Sequence, residues 1–300
     1  MIITEIVTII MSEFSDIVKK YSTIPLSKQD EIVFKAIVNA AKDFGDYLGV
    51  DLSSRMPSVD SLFVFAHKQF KTMMGQLVNE GIIGFGVTSC GFNLPYKRQI
   101  FSAAAENTIT DSTWVGINHE LVHLLSYHEY TTEGRIPIHT TKSGFIDYKE
   151  NMFIGLTEAM TDITSFFIIK NFWPKYKELE FASKIALADR KVGYYDVLVI
   201  LDLLLDKLAV KSCASRANVS NILQKSFVQN PYDGIDFLRK NLEPKELMFL
   251  ANLPSMGAKT QRQFDKAVFA LNLDNKHGQF KTTSEWGVIF LKNLTNDICK

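Results

Sequence analysis

Cysteine is scarce in this chain, since only three occur in its 300 residues. They are Cys90, Cys213 and Cys299, and no two of them form a Cys-x-x-Cys pair. This spacing excludes a disulfide framework and a zinc cluster built from cysteine ligands. We therefore expect the protein to work in a reducing compartment.

Net charge is also lacking, because 33 lysines and arginines balance 33 aspartates and glutamates. Without an overall field of one sign, nothing in the composition favours nucleic acid or an anionic membrane surface, and we expect neither as a partner. The composition does not indicate an oligomeric state. With 46% hydrophobic residues, the chain is long and apolar enough to bury a sizeable core.

No uninterrupted apolar run is long enough to span a membrane, since charges break each stretch well before about 18 residues. The apolar residues 1–14 contain Glu5 and have neither a basic start nor a small-residue cleavage site. We interpret them as a helix or buried strand rather than a signal peptide. We therefore expect a cytoplasmic protein. Export by a route that needs no signal peptide is the alternative.

The hydrophobic periodicity and the residue types change along the chain, and together they predict an α+β fold in three segments. The first, residues 1–55, is largely helical in pattern. The second, residues 56–170, begins with β-branched and aromatic runs that predict a sheet, and continues with two apolar helices, 111–130 and 153–170, joined by a loop. The third, residues 171–300, is helical in pattern and predicts an all-α C-terminal region.

The first apolar helix carries the most informative motif, His119-Glu120-Leu121-Val122-His123. Histidines four residues apart project from one face of a helix, so both imidazoles can reach one metal ion, with Glu120 beside them to move a proton. Chance would produce this pattern in roughly 0.6% of chains of this composition. Since the helix is apolar nearly all round, a shared divalent cation would satisfy three polar groups that are costly to bury unpaired. The alternative is a core helix whose histidines bond to backbone carbonyls.

A zinc site for hydrolysis needs a third protein ligand and an open position for water. The second apolar helix offers Glu158, which shares one stripe with Thr161, Asp162 and Ser165. We expect Glu158 to bind the metal. We expect Asp162, one turn further on, to accept a hydrogen bond from the ring N–H of His119 and so fix its tautomer. The alternative is that this stripe faces solvent.

Together the two motifs resemble the gluzincin zinc metallopeptidases, the thermolysin-like group, in which His-Glu-x-x-His is followed by Glu-x-x-x-Asp on a second helix. The resemblance covers roughly residues 84–170. It implies a zincin-like mixed sheet that carries the two motif helices. It also implies one Zn²⁺ per chain and these roles: His119, His123 and Glu158 as ligands, Glu120 as general base, and Asp162 as the partner of a ligand.

The absence of two sequence motifs excludes or disfavours other groups of zinc peptidases. The metzincin motif requires a glycine and a third histidine where this chain has Ser126 and Glu129, which excludes that family. No Gly-x-Met-Glu-Asn segment occurs, and this segment anchors the substrate amino terminus in the large gluzincin aminopeptidases, so an endopeptidase is favoured. The 34 residues between His123 and Glu158 exceed the thermolysin spacing, which predicts a different connecting loop.

The resemblance implies that the substrate is a peptide or protein, hydrolysed by a metal-activated water with Glu120 moving the proton. The tetrahedral oxyanion needs a further donor. Tyr148 resembles in position the tyrosine that some gluzincins use and is therefore predicted as a catalytic residue. His139, Tyr194 and Tyr195 are its rivals.

Substrate peptides in such folds add to an edge strand beside the metal, where backbone hydrogen bonds supply affinity. Residues 84–88 and residues 99–102 are the two candidate edges, and the glycines of the first would let another backbone approach closely. The alternative is that both segments lie inside the sheet.

Two other functions compete with a peptidase. A non-catalytic, metal-stabilised binding or regulatory protein of the same fold would keep the site without turnover, although the intact Glu120 argues against it. In the other, the motif is accidental and the C-terminal helices form a partner-binding surface, so the chain would bind no metal. Replacing Glu120 by glutamine tests the first, and the metal content of the protein tests the second.

Overall fold

A computed structural model of the chain describes residues 13–82, 90–105, 107–132, 138–146, 152–180, 182–184, 195–253 and 261–273. Its helices are α1 (Lys28–Leu48), α2 (His67–Asn79), α3 (Asp111–Leu125), α4 (Ile154–Asn171), α5 (Tyr195–Ser212), α6 (Arg216–Gln229), α7 (Pro231–Asn241), α8 (Pro244–Ala251) and α9 (Gln261–Ala270). Its strands are β1 (Leu62–Ala66), β2 (Gly91–Leu94), β3 (Gln99–Ala104), β4 (Tyr127–Thr132) and β5 (Ile138–Ser143). The described chain is mostly helical with a small mixed sheet, as an α+β fold requires.

The three-stranded sheet precedes the motif helix α3 in the chain. Its central strand is β3, which pairs in parallel with β1 and antiparallel with β2. Side chains alternate between the two faces of a strand. On one face, Phe92 and Phe101 stack with their ring centroids 4.5 Å apart, next to Phe14 and Phe70. The other face of the sheet packs against α3.

Helices α3 and α4 pack against each other in the core. Of the 18 residues of α4, 14 are buried, and α1, α5 and α8 cover its other sides. A helix that is apolar all round is stable only when it is surrounded in this way. The polar side chains in the middle of the two helices, within 118–123 and 157–165, are therefore set in largely apolar surroundings.

The C-terminal helices hold the start of α4. The N–H of Phe153 donates to the Ala251 carbonyl at 2.6 Å, and the N–H of Gly155 donates to the Leu253 carbonyl at 3.1 Å. N–H groups at the beginning of a helix have no partner within it, so the end of α8 supplies what α4 lacks. These bonds fix where α4 begins, and so fix the position of the side chains on its second turn.

Helix α2 occupies part of the region where the sequence predicted only strands and turns. Its buried residues Phe70, Met73, Met74 and Leu77 recur at helical spacing, which explains why this stretch coils after β1 ends. The strand prediction holds for residues 62–66, 91–94 and 99–104. The error arose because a short apolar run such as the one before α2 does not by itself distinguish a strand from a buried helix.

The hairpin of β4 and β5 replaces a predicted loop. We expected the motif helix to continue to residue 130, but α3 ends at Leu125 and Tyr127 already pairs with Ser143 in the hairpin. β4 contains two tyrosines and two threonines, and β5 contains one isoleucine and two threonines, all residue types that favour extended backbone. Residues 133–137, between the two strands in the sequence, lie outside the described residues.

Three further expectations concern membrane-spanning helices, the cysteines and the N-terminal residues. No helix in the described part of the chain combines the length and the apolar character that crossing a bilayer requires. Cys90 and Cys213 are exposed free thiols, while Cys299 lies outside the described residues. Residues 1–12, most of the predicted N-terminal helix or strand, also lie outside them.

Candidate metal centre

Helix α3 carries the His-Glu-x-x-His motif into the core. Glu120 and His123 are each only 8% exposed, and His119 is partly buried. Neighbouring residues such as Leu121 and Val122 are fully buried, so the apolar surface of the helix takes the motif inside with it. Polar side chains in such a place need partners, because an unpaired buried polar group costs free energy.

Glu158, on the second turn of α4, completes a compact cluster with the two histidines. Its Oε2 atom lies 3.7 Å from His119 Nε2 and 3.5 Å from His123 Nε2. The two Nε2 atoms are themselves 3.2 Å apart. In the described part of the chain, these three residues are the group of histidine, cysteine or carboxylate side chains that could hold a metal ion.

The spacing of the three donor atoms is compatible with a tetrahedral metal ion, for which zinc gives the reference distances. In a tetrahedral site with bonds of about 2.0–2.2 Å, neighbouring ligand atoms lie about 3.4 Å apart. The three separations in this structure, 3.2, 3.5 and 3.7 Å, surround that value. A circle through the three atoms has a radius of about 2.0 Å, which is close to a zinc–imidazole bond length. Two imidazoles and one carboxylate also make up one of the ligand sets of catalytic zinc.

The ring nitrogens that face away from the cluster have partners on α4. His119 Nδ1 lies 2.8 Å from Asp162 Oδ1, and an ionised carboxylate can only accept, so Nδ1 carries the hydrogen. His119 Nε2 then points a lone pair into the cluster. His123 Nδ1 lies 3.3 Å from the hydroxyl of Thr161, which can accept in the same way. This arrangement is the one that metal-binding histidines require.

The electrostatics of the cluster favour a positive charge at its centre. Burial lowers the pKa of His119, but the hydrogen bonds with Asp162 and Glu158 outweigh it and hold that pKa well above its usual range. Burial raises the pKa of the Glu158 carboxyl, yet the nearby His123 and His119 hold it well below its usual range. The cluster can meet this demand with a proton on His119 or, once that proton leaves, with a divalent cation bound by the two imidazole lone pairs and the carboxylate.

The side chain of Glu120 lies against strand β2. Its Oε2 atom accepts a hydrogen bond from Asn93 Nδ2 at 3.0 Å. A Cβ atom placed on Gly91 would lie 2.9 Å from both Cγ and Oε1 of Glu120, so the bare backbone there makes room for the carboxylate. The sequence analysis did not predict Asn93 or Gly91 as part of the site, because strand pairing brings them there.

Two further contacts fix α3 in place. Asn118, fully buried beside His119, donates through Nδ2 to the hydroxyl of Ser165 at 2.8 Å and so joins α3 to α4. At the other end, Arg55 donates to the carbonyl of Leu125, the last residue of α3, and to the carbonyl of Val228 near the end of α6. Cations stabilise helix C-termini, so one guanidinium ties together the ends of two helices.

His128 follows α3 on strand β4 and lies beside the same guanidinium. Its Nδ1 atom is 3.4 Å from Arg55 Nη2, and the residue is 7% exposed. Burial, together with the positive charge of Arg55, lowers the pKa of His128 to about 4. His128 is therefore neutral at pH 7, and it belongs to the structural support at the end of α3.

Several residues predicted for catalysis are not placed by the structure. Tyr148, predicted as the oxyanion donor, and its rival Tyr194 lie outside the described residues. His139 lies on β5 and Tyr195 begins α5, but their side chains also lie outside the described part.

The two segments predicted as a substrate-binding edge have different outcomes. Residues 84–88 lie outside the described residues. Residues 99–102 belong to β3, which has a strand on both sides and is not an edge. Within the described residues, β1 and β2 each pair on one side alone, and β2 is the one of the two that contacts Glu120.

Comparison of the chain with models of known protein families, with curated proteins and with solved structures gave no match. The function must therefore be argued from the geometry of the site.

Proposed function

We propose that the protein is a zinc-dependent metallopeptidase of gluzincin type, with a zincin-like core formed by the mixed sheet, α3 and α4. One observation carries the proposal: His119, His123 and Glu158 bring three donor atoms to the spacing of a zinc site, although Glu158 lies on a separate helix. An accidental motif on α3 would not explain why α4 supplies a carboxylate at this point. It would also not explain partners for both outer ring nitrogens.

The residues around the three proposed ligands would carry out the proton transfer and orient the imidazoles. A bound zinc ion supplies a Lewis acid and lowers the pKa of its water to about 7. Glu120, next to His119 in the motif, accepts the proton of the attacking water and returns it to the leaving amine. Asp162 and Thr161 keep the two imidazoles in the tautomer that binds metal.

The substrate that fits this arrangement is a peptide or protein in extended form. Strand β2 contacts Glu120 and has no pairing strand on its outer side within the described residues. An extended peptide can add to such an edge by backbone hydrogen bonds, which would place its carbonyl groups beside the general base. Internal cleavage is favoured, because the sequence has no Gly-x-Met-Glu-Asn anchor for a free amino terminus.

The experiment that tests the proposal measures zinc and cleavage in the same preparations. Zinc per chain is determined by elemental mass spectrometry on protein purified without chelator, and cleavage is followed with fluorescently quenched casein. The wild type should hold about one zinc and cleave casein. Glu158→Ala should lose both, whereas Glu120→Gln should keep the zinc and lose cleavage. Glu180→Ala is the matched control, since Glu180 is exposed and its carboxylate accepts a hydrogen bond from Lys184.

The other outcomes separate the competing functions. A wild type that takes up no zinc, even after zinc is added, would refute the metal centre and leave the motif accidental. A protein that binds one zinc through Glu158, but cleaves neither casein nor a mixed peptide library, would instead be a metal-stabilised binding or regulatory protein.

A further inference from the structure

We propose that Asn93 on strand β2 is a positioning residue for Glu120, which it holds in the orientation that the general base needs. The inference rests on the proposed function, because Glu120 is a general base only in a peptidase. Asn93 acts through Glu120, and it contacts neither the histidines nor Glu158 through a hydrogen bond in the described structure.

The contact is specific in its direction. Asn93 Nδ2 donates to Glu120 Oε2 at 3.0 Å, and an ionised carboxylate only accepts, so the amide must present its NH₂ group. No other described residue makes a hydrogen bond to the Glu120 carboxylate. Within the described residues, the Asn93 amide is therefore the group that orients this carboxylate by a hydrogen bond.

Gly91, on the same strand as Asn93, also contacts the side chain of Glu120. Residues two apart on a strand face the same side, so Asn93 and Gly91 both face α3. Gly91 has no side chain, and a Cβ atom there would lie 2.9 Å from Cγ of Glu120. The glutamate can therefore lie along β2, where the Asn93 amide reaches it.

Such a contact matters because a glutamate side chain has several rotatable bonds. A general base works only when its carboxylate is within hydrogen-bond reach of the proton that it takes. Loss of the Asn93 donor frees the carboxylate to rotate, and a displacement of about 1 Å at a catalytic group can cost about 100-fold in rate. We therefore expect the rate to fall by about 10- to 100-fold when the donor is removed.

The test uses zinc-loaded, full-length protein and a fluorogenic peptide chosen for cleavage by the wild type. Asn93→Leu removes the donor at similar volume, and Asn93→Asp, which is isosteric, replaces the donor with an acceptor. Both should lower kcat about 10- to 100-fold while KM and zinc per chain stay unchanged. Asn93→Gln, which keeps an amide donor, should restore part of the rate. Asn241→Leu is the matched control, because Asn241 is also partly buried and donates from Nδ2, but to a carbonyl on α7.

A double-mutant cycle shows whether Asn93 acts through Glu120. In a Glu120→Gln background, Asn93→Leu should reduce the residual rate by less than twofold, since no general base remains to be positioned. An equal loss in both backgrounds would overturn the proposal, as would an unchanged kcat in both single variants of an active enzyme. Neither result would contradict the proposed peptidase function. A wild type that binds zinc but cleaves no peptide would overturn the proposed function, and this inference with it.

Discussion

The hydrogen bond between Asp162 and His119 gives the sharpest quantitative test of the metal centre. His119 Nδ1 and Asp162 Oδ1 are 2.8 Å apart, and the Asp162 side chain is only 8% exposed, so water screens the contact weakly. Asp162→Asn keeps the shape and removes the charge. We expect the zinc affinity to fall while the ligand set of His119, His123 and Glu158 stays intact.

The magnitude follows from the geometry. A hydrogen bond to a charged group contributes about 1.5–3 kcal/mol, and an amide retains part of that bond, so we expect a loss of about 1.4 to 2.7 kcal/mol. This corresponds to a zinc dissociation constant that is about 10- to 100-fold weaker, which is the usual cost of losing the partner of a metal-binding histidine. The assay is competition for zinc with a fluorescent chelator of known affinity.

The control for Asp162→Asn is a buried aspartate outside the site. Asp202 is 4% exposed and pairs with Arg216, so Asp202→Asn also removes a buried charge from an ion pair. It should lower stability without changing the zinc affinity. An unchanged affinity in Asp162→Asn would refute the role given to this carboxylate. A complete loss of zinc, equal to that of Glu158→Ala, would show that Asp162 is itself a ligand.

Three further substitutions probe the surroundings of the site. In chelator-treated protein, lowering the pH from 6.5 to 4 should reduce the free energy of unfolding by up to about 3 kcal/mol more in the wild type than in His128→Gln. The reason is that His128 is protonated in the unfolded chain over this range but, with its pKa of about 4, stays neutral in the folded protein. Urea unfolding at several pH values measures the difference. Thr161→Val should weaken zinc about 2- to 10-fold by removing a neutral hydrogen bond to His123, and equal affinity in the chelator assay would contradict it. Gly91→Ala should lower kcat but keep one zinc per chain, since its methyl group displaces Glu120, and full activity would contradict the contact.

The residues that carry the site could be predicted because each belongs to a local pattern. The two histidines are four residues apart on one helix, and Glu158 and Asp162 are four apart on the next, so helical geometry alone gives each pair a common face. The apolar surroundings in the sequence also predicted that both helices are buried, as the structure has them. Local spacing does not show that the two faces meet, and only the structure brings Glu158 to His119.

The contacts that the sequence did not reveal all depend on how distant segments meet. Asn93 reaches Glu120 because β2 pairs antiparallel at the edge of the sheet, and nothing in the local sequence sets that pairing. Thr161 was placed on the stripe of α4, but its partner on His123 depends on the way α3 and α4 cross. Arg55 lies 70 residues before the carbonyl that it contacts at the end of α3. In each case a single polar residue carries no signal until the fold gives it a neighbour.

These distant contacts explain why the metal centre does not depend on the metal alone for its shape. The start of α4 is held by backbone bonds from Phe153 and Gly155 to the end of the α8 region, and the end of α3 is held by Arg55. Between these fixed ends, Asn118 joins α3 to α4 next to His119. Because tertiary packing already sets the distance between the histidines and Glu158, little of the zinc-binding free energy has to be spent on ordering the ligands. A site held in this way would bind a metal ion without first having to order its ligands, which is what the proposed hydrolysis needs.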